Sequence, residues 1–227
     1  MNLYIFQLLS IVVLGSTLAC STVNSSATST PVVSVPETAA TESIPTIKGK
    51  QIAVFAGGCF WGVEAVFENI RGVSDVKSGY SGGTAKTANY DDVSEGTTAH
   101  AEAVQIIFDP AIISYEQLLD IFFKVAHDPT ELNRQGPDTG PQYRSAIFFT
   151  NDEQKSVAQS YIQRLGAAKV YAKPIVTQVV ALEKFYDAEA YHQDYLPQNL
   201  DSPYIIAHDL PKLESLKKEF PGLYVKK

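Results

Sequence analysis

Two periods of apolar residues run through residues 51–183. Short apolar or alternating runs predict strands over 51–56, 73–80, 101–109, 143–149 and 175–183. Between them, spacings of three and four predict helices over 60–70, 114–127 and 151–168. In the first helix Val63, Val66, Phe67 and Ile70 form a core-facing stripe, and at 100° per residue Trp61 falls on the opposite face with Glu64 and Glu68. Ser114 with Gln117, and Thr150 with Glu153, have the spacing of capping boxes for the second and third helices. Gly, Ser and Thr dominate a loop over 81–99, and a second long loop covers 128–141. The order βαββαβ predicts an α+β fold, a ferredoxin-like mixed sheet with helices and extra loops.

The start of the chain differs from the rest. Residues 1–20 are mostly apolar and end in Leu18-Ala19-Cys20, too short and interrupted for a membrane-spanning helix, with small residues as at a cleavage site. They resemble a lipoprotein-type signal in which Cys20 would be lipidated. Residues 21–48 are rich in Ser, Thr, Pro, Val and Ala and are expected to be a disordered tether. Residues 49–227 are then one domain by size. Export to the bacterial envelope, periplasm or outer surface, with an N-terminal membrane anchor, is the expected location.

Composition narrows the chemistry. A net charge of −7 without a basic run argues against nucleic acid. Two cysteines, Cys20 and Cys59, leave no internal disulfide framework, and four histidines without ligand spacing predict no metal. His100-Ala101-Glu102 matches half of a zinc deaminase signature, but no Pro-Cys-x-x-Cys follows. Met1 is the only methionine, so a chain that loses its leader cannot form methionine sulfoxide itself.

Cys59 stands out in Gly57-Gly58-Cys59-Phe60-Trp61-Gly62, between a strand and a helix. Free N–H groups and the helix dipole at such a junction stabilise a thiolate, and can lower a thiol pKa from about 8.5 to roughly 3.5–7.5. An ionised nucleophile is therefore expected. The alternative is a small buried hydrophobe, which the double glycine and paired aromatics disfavour.

Six ordered motifs now combine. They are Gly58-Cys59-Phe60-Trp61-Gly62, Gly79-Tyr80-Ser81-Gly82-Gly83, Tyr90-Asp91-Asp92-Val93, the run from Gly96 to Val104, His127-Asp128-Pro129 and Gln142-Tyr143-Arg144-Ser145. Together they resemble peptide methionine sulfoxide reductase A over about residues 51–200. The resemblance implies that Cys59 attacks the sulfoxide sulfur and becomes a sulfenic acid, with the S epimer as substrate, free or in oxidised proteins. It makes Glu102 the proton donor, Tyr90 and Tyr143 the hydroxyls that bind the sulfoxide oxygen, and Asp138 the second carboxylate, which orients the tyrosine and water network. Phe60 and Trp61 would receive the S-methyl group, with His192 nearby, while His127 and Asp128 end a helix. Without the motif, Glu102 could be a surface carboxylate and Asp138 a turn residue. Many relatives resolve the sulfenic acid with cysteines near the C-terminus, but residues 203–227 contain none. A one-cysteine cycle is expected, with no bound cofactor and an external thiol (thioredoxin, glutaredoxin or a dithiol) as reductant, in a monomer. A cysteine hydrolase and a tethered binding lipoprotein are the rival readings; the first would need a histidine paired to Cys59.

Overall fold

A computed structural model describes residues 49–227; the expected leader (1–20) and tether (21–48) lie outside the described residues. The strands are β1 (Gln51–Gly57), β2 (Val73–Ser81), β3 (Ala101–Phe108), β4 (Arg134–Gln135), β5 (Asp138–Thr139), β6 (Ser145–Phe149), β7 (Gln178–Ala181) and β8 (Phe185–Asp187). The α-helices are α1 (Phe60–Glu68), α2 (Tyr90–Ser94), α3 (Tyr115–Ile121), α4 (Asp152–Ala167), α5 (Tyr195–Gln198) and α6 (Leu210–Glu219).

The main sheet has the order β7-β6-β1-β3-β2-β8. Its four central strands, antiparallel to one another, have the ferredoxin-like order expected for βαββαβ, with α1 and α3 as crossovers. Two additions widen it. A parallel β6–α4–β7 unit extends one edge, and β8 pairs with β2 at the other.

The sheet is curled, as chain length requires. Only Leu182, Glu183 and Lys184 join β7 to β8, on opposite edges. Four residue steps reach about 14 Å, whereas flat outer strands would stand about 24 Å apart. Inside the curl the side chains are mostly small: Val54, Ala56, Ala101, Ala103 and Ala146 around Phe148, with Leu182 and Phe185 against them. The other face carries Phe55, Val104, Ile106 and Phe108 and packs on α1 and α3 in the main core.

Several local expectations change. Ser114 does form the capping box with Gln117, but α4 is capped by Asn151, whose side chain accepts from Gln154 N–H. The second helix widens into a π-turn over Phe122–Ala126 before His127. The expected last strand covers only Gln178–Ala181, because the chain then turns across the curl to β8. Glu64 is buried rather than solvent-facing. It accepts a hydrogen bond from Ser78 N–H at 3.2 Å, and burial, then the nearby Glu68, push its carboxyl up to about 8.

Candidate active site

Cys59 leaves β1 through Gly58, whose φ of +92° is the left-handed backbone that favours glycine. The turn makes Cys59 the N-cap of α1, where sequence placed it. Its ionisation differs from expectation. Burial raises the thiol pKa, and the Glu102 and Asp209 carboxyls raise it further, against the lowering effects of the Trp61 N–H and Lys212. The helix N-terminus does not overcome desolvation, so the resting sulfur is a thiol, not the ionised nucleophile expected.

Strand alternation places Glu102 with Val104 and Ile106 on the helix-covered face of β3. It is 2% exposed, which excludes a surface carboxylate. Its Oε2 accepts from the backbone N–H of Phe60 at 3.0 Å, one of the donors that a helix start leaves free. Burial pushes this carboxyl up to about 8, with Asp138 adding and the Phe60 N–H opposing. One oxygen is tied to the helix, leaving the other to carry the proton.

The two predicted tyrosines come from separate turns. Tyr90 opens α2, which is capped by Asn89; Tyr143 ends the 3-10 turn Pro141–Tyr143. Gln142 ties the two turns together by donating to Ser94 O at 2.9 Å. Burial raises both phenols, with contributions from Glu102 and Cys59 in each. They therefore stay protonated donors around the same sulfur and carboxyl.

Asp138 lies in β5, in a hairpin with β4 around Gly136, so it is a strand residue rather than a free turn aspartate. The hairpin also lays Gln135 over Gly58. The tyrosine that Asp138 holds is Tyr204, whose hydroxyl donates to Oδ2.

Trp61 is half-buried. Its indole stacks on Tyr195, with centroids 3.7 Å apart and planes 9° apart, and its Nε1–H donates to His192 Nδ1 at 3.1 Å. That bond leaves the His192 proton on Nε2, and burial lowers the ring pKa. Phe60 is more enclosed than a binding wall requires, at 1% exposure; its ring lies 5.1 Å from His192. Trp61 is thus the partly accessible aromatic of the two, and Phe60 is enclosed in the core with its ring against His192.

Four neighbours were absent from the sequence reading: Glu189, Tyr195, Tyr204 and Asp209. Glu189 accepts from Tyr90 N–H and from Tyr80 Oη, both at 2.9 Å. Burial pushes its carboxyl up, but these donors outweigh burial and hold it low. The only sequence signal for these residues was the density of Tyr, Asp and Glu in 186–209. The rival hydrolase loses its base. Among the described residues no hydrogen bond joins Cys59 to a histidine, His192 is engaged by Trp61, and His127 bonds Phe122 O and Ser145 Oγ.

A helix-capping thiol facing a buried protonated carboxyl and phenolic donors, on a ferredoxin-like core, defines a thiol-dependent oxidoreductase. Comparisons agree and are more specific. The family model for peptide methionine sulfoxide reductase matches residues 51–222. Peptide methionine sulfoxide reductase MsrA 2 of Synechocystis sp. is 55% identical over 175 residues, 77% of this chain and 82% of the relative. The protein of the same name from Mesorhizobium japonicum is 54% identical over 179 residues, 79% and 92% of the two chains. Among solved structures, reduced Mxr1 from Saccharomyces cerevisiae aligns with a TM-score of 0.63 at 33% identity, covering 68% of this chain and 88% of its own. Methionine sulfoxide reductase A of Corynebacterium diphtheriae gives 0.60 at 31%, covering 71% and 81%. The chain belongs to the peptide methionine sulfoxide reductase family.

Proposed function

We propose that this protein reduces the S epimer of methionine sulfoxide, free or in oxidised proteins, through a sulfenic acid on Cys59. The observation that carries the reading is the Glu102 carboxyl, buried, protonated to about 8 and fixed to the first N–H of the helix that presents the cysteine. The sulfoxide oxygen accepts hydrogen bonds from Tyr90 and Tyr143 and takes the Glu102 proton as its sulfur is attacked. Loss of that proton creates a carboxylate beside the sulfur. The thiol therefore has to give up its own proton in the same event, and it is recovered at Glu102. Net oxygen transfer leaves the thioether and Cys59–SOH: the substrate sulfur gains two electrons and Cys59 loses them. Trp61, held by His192 and Tyr195, offers an aromatic face to the S-methyl group.

Regeneration uses an external thiol. One thiol condenses with the sulfenic acid, releasing water and forming a mixed disulfide, and a second thiol displaces Cys59. Cys59 is the sequence's one cysteine beyond residue 20, which supports this cycle over an internal relay. We also propose a monomer in the bacterial envelope, with residues 1–20 as leader and 21–48 as tether. The Leu18-Ala19-Cys20 ending supports that location, and recovery of the protein in the soluble cytoplasmic fraction would refute it.

The decisive assay follows thiol consumption with separated sulfoxide epimers. The S epimer alone should drive it, and Cys59→Ser should abolish it. Equal turnover in Cys59→Ser would sink the proposal.

A further inference from the structure

Gly62 is the third residue of α1, the position from which a helix start often receives an acidic side chain of its own. A Cβ there would lie 2.0 Å from Asp209 Oδ1 and 2.8 Å from Lys212 Nζ. The missing side chain is the space that admits this pair. Asp209 occupies the N-cap position of α6 without a side-chain capping bond, Lys212 stands in the first turn, and Nζ meets Oδ1 at 3.1 Å. The Asp209 side chain is 0% exposed and that of Lys212 17%. Asp209 Oδ2 is buried without a partner. An enclosed ion pair is a poor source of stability, because neutral replacements often cost nothing. An unpaired carboxylate oxygen adds a desolvation penalty. The pair nevertheless sits beside the helix start that carries Cys59.

We propose that Asp209 and Lys212 are positioning residues for the Cys59 sulfur, a charge pair whose ammonium favours the thiolate and whose carboxylate opposes it. The role rests on the reading of Cys59 as the redox centre and belongs chiefly to regeneration. There the Cys59–S–S–R bond breaks and its electron pair stays on Cys59. A new disulfide joins the two reductant sulfurs, the attacking thiol releases its proton to water, and the Cys59 thiolate takes a proton back from water. Lys212 assists that departure, while Asp209 keeps the resting sulfur protonated. The electrostatics agree, with Asp209 raising and Lys212 lowering the thiol pKa. The other groups facing the sulfur are Glu102 and the hydroxyls of Tyr90, Tyr143 and Tyr204, and Asp209 is itself faced by His208 and Asp138.

The test is alkylation of Cys59 by iodoacetamide across pH in the full chain, followed by the mass of its tryptic peptide, with neither sulfoxide nor reductant present. Asp209→Asn should speed alkylation several-fold at neutral pH and lower its midpoint. Lys212→Gln should slow it and raise the midpoint. The double variant should return toward the parent profile, and Lys212→Arg should keep it. A purely structural defect moves both single variants the same way, so same-direction shifts, or none, overturn the proposal. Melting curves by circular dichroism identify any unfolded variant. If Asp209→Asn unfolds, Lys212→Gln against Lys212→Arg decides the matter. Because alkylation requires no turnover, failure of the reductase reading would leave this measurement interpretable.

Discussion

Glu102 can act as an acid only while it holds its proton, which burial preserves up to about pH 8. Activity limited by this proton should therefore decline as pH rises through that value. Glu102→Gln keeps the contact to Phe60 N–H through its amide oxygen but has no acidic proton. We expect kcat/KM to fall roughly 10²–10⁴-fold, the usual contribution of a general acid, with the alkaline limb gone from the pH–rate profile. An unchanged profile would exclude Glu102 as the donor. Cys59 shows the converse. The same burial that keeps the carboxyl protonated also keeps the sulfur protonated, so Cys59 and Glu102 both rest neutral.

The strands and helices that carry the motifs were visible in apolar spacing, because those segments bury one face against a single core. Cys59, Glu102, Tyr90, Tyr143, Asp138, Trp61 and His192 converge as the motif order suggested. Segments whose place depends on distant partners were not visible. β8 has only three residues, and Tyr186 O and the Phe185 ring lie where a Gly79 side chain in β2 would stand. Glu64 carries no pattern signal for burial, since its partner Ser78 N–H belongs to the next strand. Tyr204 and Asp209 depend on a C-terminal helix that the sequence reading did not assign. Gly79 offers a test of this dependence. A Cβ there would come within 2.3 Å of Tyr186 O and 2.4 Å of Phe185, so Gly79→Ala must push β8 outward. It should cost about 1–3 kcal/mol, the usual cost of overpacking, in urea unfolding. Turnover should fall as well, because Glu189 two residues beyond β8 holds the Tyr90 backbone. Parent-like stability would show that β8 yields freely.

Among the described residues, three buried or half-buried glutamates bind protons above the ordinary range: Glu64 and Glu102 at about 8 and Glu68 at about 7. Their unfolded values lie near 4.5, so between those limits the native state holds protons that the unfolded chain has released. Their contribution to stability is complete below about 4.5 and is lost as pH rises through about 8. The melting temperature should drop across that window. Glu64→Gln, which cannot ionise, should flatten the drop, and an equally steep decline in that variant would refute the assignment. The C-terminal segment bears on turnover in another way. Tyr224 bridges Ile70, Arg71 N–H donates to Leu223 O at 2.7 Å and Val225 N–H to Asn69 O at 2.9 Å. On the proposed one-cysteine cycle this segment, laced to the far end of α1 and without a cysteine, takes no part in electron transfer, and sulfoxide and thiol react at Cys59 in turn. Double-reciprocal plots at several thiol concentrations should then give parallel lines, the ping-pong pattern, and excess sulfoxide should slow the enzyme by occupying the entrance that the thiol needs.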